Sequence, residues 1–177
     1  CSSDGQFVGF GTLSGVINVF NTITYDKVFS CAVHKAGITS LCFHPSTNYV
    51  IASDSIGKIS FLSLDKKVTR MLPGWSSSKG RIYEFDSSPH KPLLSIACRS
   101  GVIFYDLESM KIQNLSLPDF NGLPTHIRFS PSDPNTIAFS SNSNKIYLFD
   151  ISTKSLSSPI SFDDIITSID FRNDGIY

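Results

Sequence analysis

An all-β fold built from tandem repeats is predicted by three features of the sequence. Short runs of alternating apolar residues recur along its 177 residues, turn-forming clusters separate them, and two independent markers return with one period. Residues 123–150 show the pattern most plainly, with runs at 125–129, 136–140 and 145–149. Between them lie Pro131-Ser132-Asp133-Pro134-Asn135 and Ser141-Asn142-Ser143-Asn144, where fixed proline φ angles and side-chain-to-backbone hydrogen bonds favour turns.

The first marker is the position of a Phe-x-Pro corner: Phe43-His44-Pro45, Phe85 with Pro89, Phe129-Ser130-Pro131 and Phe171-Arg172-Asn173 place Pro45, Pro89, Pro131 and Asn173 at steps of 44, 42 and 42. The second is a large apolar residue before a small polar or acidic one: Phe20-Asn21, Leu62-Ser63, Tyr105-Asp106 and Phe149-Asp150, at steps of 42, 43 and 44. A period of about 40–45 residues with four strands per unit predicts a partial β-propeller of about four blades of four antiparallel strands. No window spaces apolar residues as a helix would over three turns, which excludes a helical solenoid.

The whole chain reads as part of one propeller domain, with units at approximately 1–34, 35–78, 79–121 and 122–163 and the start of another at 164–177. The first unit supplies strands 6–11, 16–21 and 27–33 and lacks an innermost strand. The second supplies 38–43, 49–53, 58–64 and 67–72, and the third 82–85, 93–98, 102–106 and 111–117. The fourth adds an outer strand at 156–162 to its three runs, and residues 166–171 predict an innermost strand of a fifth unit. The expectation is a piece of a longer chain, roughly half of a ring.

With 41% apolar and 12% aromatic residues the chain can build a packed core. Fifteen basic and fifteen acidic residues cancel, so no overall field draws nucleic acid or anionic lipid, and neither is expected as a direct partner. Cys1, Cys31, Cys42 and Cys98 form no Cys-x-x-Cys pair and predict free thiols in a reducing, intracellular setting. No apolar run is long enough to span a membrane, and no signal-peptide pattern is present.

The Tyr105-Asp106 and Phe149-Asp150 pairs come near a Trp-Asp dipeptide, and with the period they make the chain resemble the WD-repeat family. That resemblance implies a loop histidine tied to an aspartate, a buried serine and the tryptophan. His34 fits the histidine, with Ser53, Asp54 or Ser55 as partners, and Leu62 replaces the tryptophan. His34 as a ligand or base would need carboxylate or cysteine partners at suitable spacing. His44, His90 and His126 are scattered, one per unit, and no metal-ligand spacing occurs. There is no nucleophile elbow, no phosphate-cradling glycine loop, and no close carboxylate pair in a setting that would separate their pKa values. Asp163-Asp164 reads as a solvated turn. No catalytic residue, metal or cofactor is expected.

Trp75 sits in a long loop between the second and third units, either as an interface residue or folded back over the blade junction. Phe120 occupies the equivalent loop one unit later. With Lys35, Lys79 and Arg81 beside them, His34, Trp75 and Phe120 make up the candidate interface.

Within the family, the chain resembles γ-tubulin ring complex targeting factors of the GCP-WD kind. The resemblance runs through His34-Lys35, Ile38-Thr39, residues 50–53 and 56–59, Gly101-Val102-Ile103, Tyr105-Asp106, and residues 124–131, 144–147 and 166–175. It implies a non-catalytic adaptor at the centrosome or spindle pole that docks on mitotic scaffold proteins and helps recruit γ-tubulin ring complexes for microtubule nucleation. These motifs make the fold, so no functional residue carries over. The alternatives are a cirhin-like propeller subunit of a nucleolar small-subunit processome and an enzyme with a site on propeller loops.

Overall fold

The computed structural model describes residues 1–172 except Ser3, Pro45, Ser46, Asn114, Ser116, Asp119 and Asn121. The described chain is all-β, with sixteen strands in four antiparallel sheets. The first sheet holds β1 (Phe7–Gly11), β2 (Val16–Asn21) and β3 (Lys27–Ala32). The second is β4 (Ile38–Phe43), β5 (Tyr49–Asp54), β6 (Ile59–Ser63) and β7 (Val68–Met71). The third is β8 (Ile82–Ser87), β9 (Leu93–Cys98), β10 (Gly101–Asp106) and β11 (Lys111–Gln113). The fourth is β12 (Pro124–Phe129), β13 (Thr136–Ser141), β14 (Lys145–Asp150), β15 (Ser155–Leu156) and β16 (Ile160–Ser161). Within the first three sheets strands follow one another in space as they do in sequence, so each connection there is a hairpin that needs only a tight turn, while in the fourth both β15 and β16 pair with β14.

The second marker owes its period to turn chemistry. Asn21 Oδ1 accepts the backbone N–H groups of Ile23 (2.8 Å) and Thr24 (3.0 Å), Asp106 Oδ1 those of Glu108 (2.9 Å) and Ser109 (2.7 Å), and Asp150 Oδ1 those of Ser152 (2.8 Å) and Thr153 (2.9 Å). Ser63 Oγ does the same for Lys66 N at 3.2 Å. Each turn then reverses through one left-handed residue four places on: Tyr25 (φ 62°), Lys67 (51°), Met110 (56°) and Lys154 (56°). A short side-chain acceptor at the strand end satisfies backbone donors that the reversal strips of ladder partners.

The chain divides into two compact units, Cys1–Ile82 and Tyr83–Tyr177. In the first, Ile17 and Val19 of β2 pack with Phe43, Val50, Ala52 and Leu62 of the second sheet. The two sheets approach so closely there that a Cβ on Gly11 would overlap the Ile38 side chain. In the second unit, Leu93, Ala97, Val102 and Phe104 meet Ile127, Phe129, Ile137, Phe139, Tyr147 and Phe149, with the Phe104 and Phe149 rings stacked at 5.8 Å. The i, i+2 spacing within each strand puts these side chains on one face.

Three predicted strands differ from the structure. The outer strand at 156–162 is split: β15 pairs Phe149 with Leu156 and β16 pairs Ile146 with Ile160, one residue out of register, because Pro159 lacks an N–H and the ladder bulges around it. Strand 111–117 ends at Gln113; Asn114 and Ser116 lie outside the described residues, while Leu115 and Leu117 pack on the core. Residues 166–171 form no strand, since an extended segment becomes one only where a sheet edge pairs with it. Ile169 is nonetheless buried. The marker position at Asn173 lies outside the described residues.

Phe149→Ala removes a fully buried ring from the stacked pair and is expected to cost about 3–5 kcal/mol in urea denaturation. Ile160→Ala, exposed on the bulged edge, is expected to cost under about 1 kcal/mol.

Candidate functional site

A hairpin connection ends in a residue that must close a tight turn, and the four sheets solve this at one position in four ways. Thr12 Oγ1 accepts Val16 N (3.1 Å), Asp54 Oδ1 accepts Lys58 N (2.9 Å), Cys98 Sγ lies 3.3 Å from Gly101 O, and Ser141 Oγ donates to Lys145 O (3.5 Å). Only Asp54 has a second oxygen to spare. Its Oδ2 lies 2.8 Å from His34 Nδ1, and His34 Nε2 lies 2.8 Å from Ser60 Oγ. Every group is satisfied when Nδ1–H donates to Asp54 and the Ser60 hydroxyl donates to Nε2. The loop that carries His34 is pinned by Gly15, whose carbonyl accepts both Val33 N and His34 N at 3.2 Å. Gly15 has φ 80°, and a Cβ there would collide with the His34 carbonyl.

His34 is 6% exposed, and this corrects its place in the candidate interface: its ring belongs to the interior, where both nitrogens are engaged. Asp54 is its carboxylate partner, as the sequence allowed, but the serine is Ser60 rather than Ser53 or Ser55. Ser53 instead bonds Thr39 Oγ1 at 3.0 Å, an arrangement repeated by Ser140 and Thr125 at 2.8 Å. The signal for Ser60 was present, since it stands two residues before Leu62 on one strand and shares its face.

The remaining interface residues differ in exposure. Trp75 is half-buried and turns back on its own unit, donating from Nε1 to Gly57 O at 2.9 Å. Lys79 closes a short 3-10 turn, Ser77–Lys79, capped by Ser76, and is half-buried. Lys35 and Arg81 are exposed. Phe120 stands edge-on to Phe139 (5.0 Å) and Tyr147 (5.4 Å), so much of its ring is spent on the core of the second unit. Asp163 and Asp164 are exposed on a bend.

One cluster of carboxylates is not apparent from the sequence pattern above. Glu84 and Asp86 alternate with Phe85 on β8 and reach β12, where Glu84 Oε2 accepts Ile127 N (3.0 Å) and Asp86 Oδ2 accepts Phe129 N (2.8 Å). Arg128 Nη1 pairs with Glu84 Oε1 at 2.7 Å, and His126 Nδ1 lies 3.4 Å from Glu84 Oε2. Burial pushes the Asp86 carboxyl up to about 6, against the opposing pull of Phe129 N–H, Arg128 and Ser87 N–H, with Glu84 adding to the rise. The two carboxylates thus serve β12 as a side-chain ladder. Period 2 on β8 and on β12 was the available signal. Among the described residues, no group of three or more His, Cys, Asp and Glu side chains could hold a metal, and no helix is long and apolar enough to cross a membrane.

No protein-family model matches the sequence, and no curated protein matches it. Among solved structures, the chain is similar to the crystal structure of the computationally designed Ika8 protein, with a TM-score of 0.76 and 19% identity over 94% of this chain and 50% of that one. The chain therefore spans half the length of that protein. At this identity the likeness shows the fold, an all-β array of small antiparallel sheets. In all, 1410 solved chains match, and an architecture so widely used fixes no activity.

Asp54→Ala strands a buried histidine and two turn amides, and is expected to cost about 3–5 kcal/mol in chemical denaturation, against about 1 kcal/mol for Ser60→Ala. Asp86 gives a pH signature. A carboxyl whose folded pKa lies above its unfolded value stabilises the fold below about pH 4 and loses that contribution as pH rises through about 6. Asp86→Asn is therefore expected to raise stability at pH 7 and to flatten its fall between pH 4 and 7, measured by urea titration at each pH.

Proposed function

We propose that the chain is part of a WD-repeat β-propeller and acts as a non-catalytic platform for docking other proteins. The observation that carries this reading is the buried His34–Asp54–Ser60 chain, which joins a loop histidine, a turn aspartate and a strand serine as the WD family does. Leu62, fully buried two residues after Ser60, stands where that family has its tryptophan. Four successive units of short antiparallel strands, each closed by the same capped turn, support the repeat reading. The non-catalytic half is supported by the structural use of the titratable groups: Glu84 and Asp86 each hold a β12 amide, and His34 bridges Asp54 and Ser60.

As the setting, we propose a cytoplasmic adaptor at the centrosome or spindle pole that helps recruit γ-tubulin ring complexes, on the sequence resemblance described above. Lys35 and Arg81, exposed and set on loops, are the interface residues best placed to meet a partner. Affinity purification of the tagged protein with mass spectrometry tests this. Enrichment of γ-tubulin complex or spindle-pole scaffold proteins, reduced by Lys35→Glu with Arg81→Glu, is the expected result. Nucleolar assembly factors in their place would support the processome reading and overturn the centrosomal one. Trp75→Ala is expected to lower the melting temperature, by about 1–3 kcal/mol of lost stability, while leaving partner recovery unchanged.

A further inference from the structure

In the second unit a cavity of about 320 Å³ opens between the end of β8, β12 and the segment that follows β16. Its lining includes the acidic residues Asp86 and Asp170, the aromatic residues Phe129 and Phe171, Pro89, and the basic residue Arg128. We propose that this cavity receives a basic side chain, an arginine or lysine carried by a partner peptide. The inference rests on the docking reading above and adds to it a site and a ligand chemistry.

Charge points this way. Two carboxylates line the cavity against one guanidinium, and that guanidinium is already engaged: Arg128 Nη1 lies 2.7 Å from Glu84 Oε1 and 2.7 Å from Ile127 O. Asp86 spends Oδ2 on Phe129 N at 2.8 Å and Oδ1 on Ser87 N at 3.0 Å, and a carboxylate has about four acceptor sites, so each oxygen can take a further donor. Asp170 Oδ1 holds Phe171 N at 2.9 Å and keeps capacity in the same way. The charges that act on Asp86 are Glu84 on its own strand and Arg128 on β12; His126 Nδ1 lies against Glu84, His90 Nε2 lies 2.9 Å from Pro131 O, and Arg172, which follows Phe171, has a partner of its own.

Shape agrees with charge. The volume sits at the low end for ligand pockets, right for one side chain rather than a cofactor. Aromatic rings attract a cation through their quadrupoles, and the apolar wall suits the aliphatic stem that arginine and lysine share. An incoming cation would also relieve the cost that burial imposes on the Asp86 carboxylate, so binding should favour its ionised form.

The test is an amide-resolved NMR titration of the whole chain with the blocked peptides acetyl-Gly-Arg-Gly-amide and acetyl-Gly-Lys-Gly-amide, and with the citrulline peptide as a neutral isostere. Saturable shifts of the Phe129 and Ser87 amides with a basic peptide and none with citrulline are expected. Affinity should fall about tenfold between pH 7 and 5, and about tenfold in Asp86→Asn and in Asp170→Asn, the latter at an exposed position that leaves the fold intact. Equal shifts with citrulline, unchanged affinity in both variants, or no saturable shift by about 10 mM peptide would each overturn the proposal. Because the purification experiment uses no feature of this cavity, partner recovery alongside a failed titration would remove the site and leave the docking platform standing.

Discussion

A small antiparallel sheet with apolar residues at every second position leaves a greasy face in water unless another sheet covers it, and that requirement organises both units. In the second, Phe104 of one sheet lies on Phe149 of the next, and Phe139 and Tyr147 stack at 5.3 Å beneath Phe120. In the first, β2 closes on the second sheet so tightly that Gly11 has no room for a Cβ. Strand β9 is buried along its whole length, which explains why Leu93 to Cys98 reads as a nearly unbroken apolar run. Hairpin turns are then the cheapest way to keep successive strands in place, and their capping residues recur because the geometry does.

That recurrence fixes positions but not chemistry. Thr12, Asp54, Cys98 and Ser141 meet one local need, and a hydroxyl, a carboxylate or a thiol each meets it. The carboxylate alone can serve a turn and a histidine together, so the second sheet acquires a buried polar chain that ties the entry loop to two strands. Such a network is stabilising only when complete, and among the described residues no buried side-chain nitrogen or oxygen lacks a partner.

The Glu84–Asp86 face runs against the stability trend of the rest. Asp86 lies in a setting that disfavours its charge, held by β12 amides and by neighbours of both signs. Groups kept in a costly state beside a cavity are where a fold has room for ligand recognition, and this one lies on strands rather than on the loops that hold the other candidates.

Most of the architecture could be read from the residues alone. Alternation of apolar side chains and the spacing of Asn21, Ser63, Asp106 and Asp150 depend on contacts within a few residues, so they leave a local trace, and the strand bounds of the first two sheets follow it closely. Even the bulge at Pro159 has a local cause, although the predicted outer strand ran through it. What needed the folded chain was any pairing between distant residues. Ser60 rather than Ser53 completes the His34 network because strand register, not sequence proximity, brings it within 2.8 Å. Trp75 turns back onto Gly57 and Phe120 onto the core of its unit because a ring's direction is set by what it meets in the folded chain. Glu84 and Asp86 meet β12 about one period away, and only the stacking of one sheet on the next could bring those carboxylates to backbone amides 43 residues on.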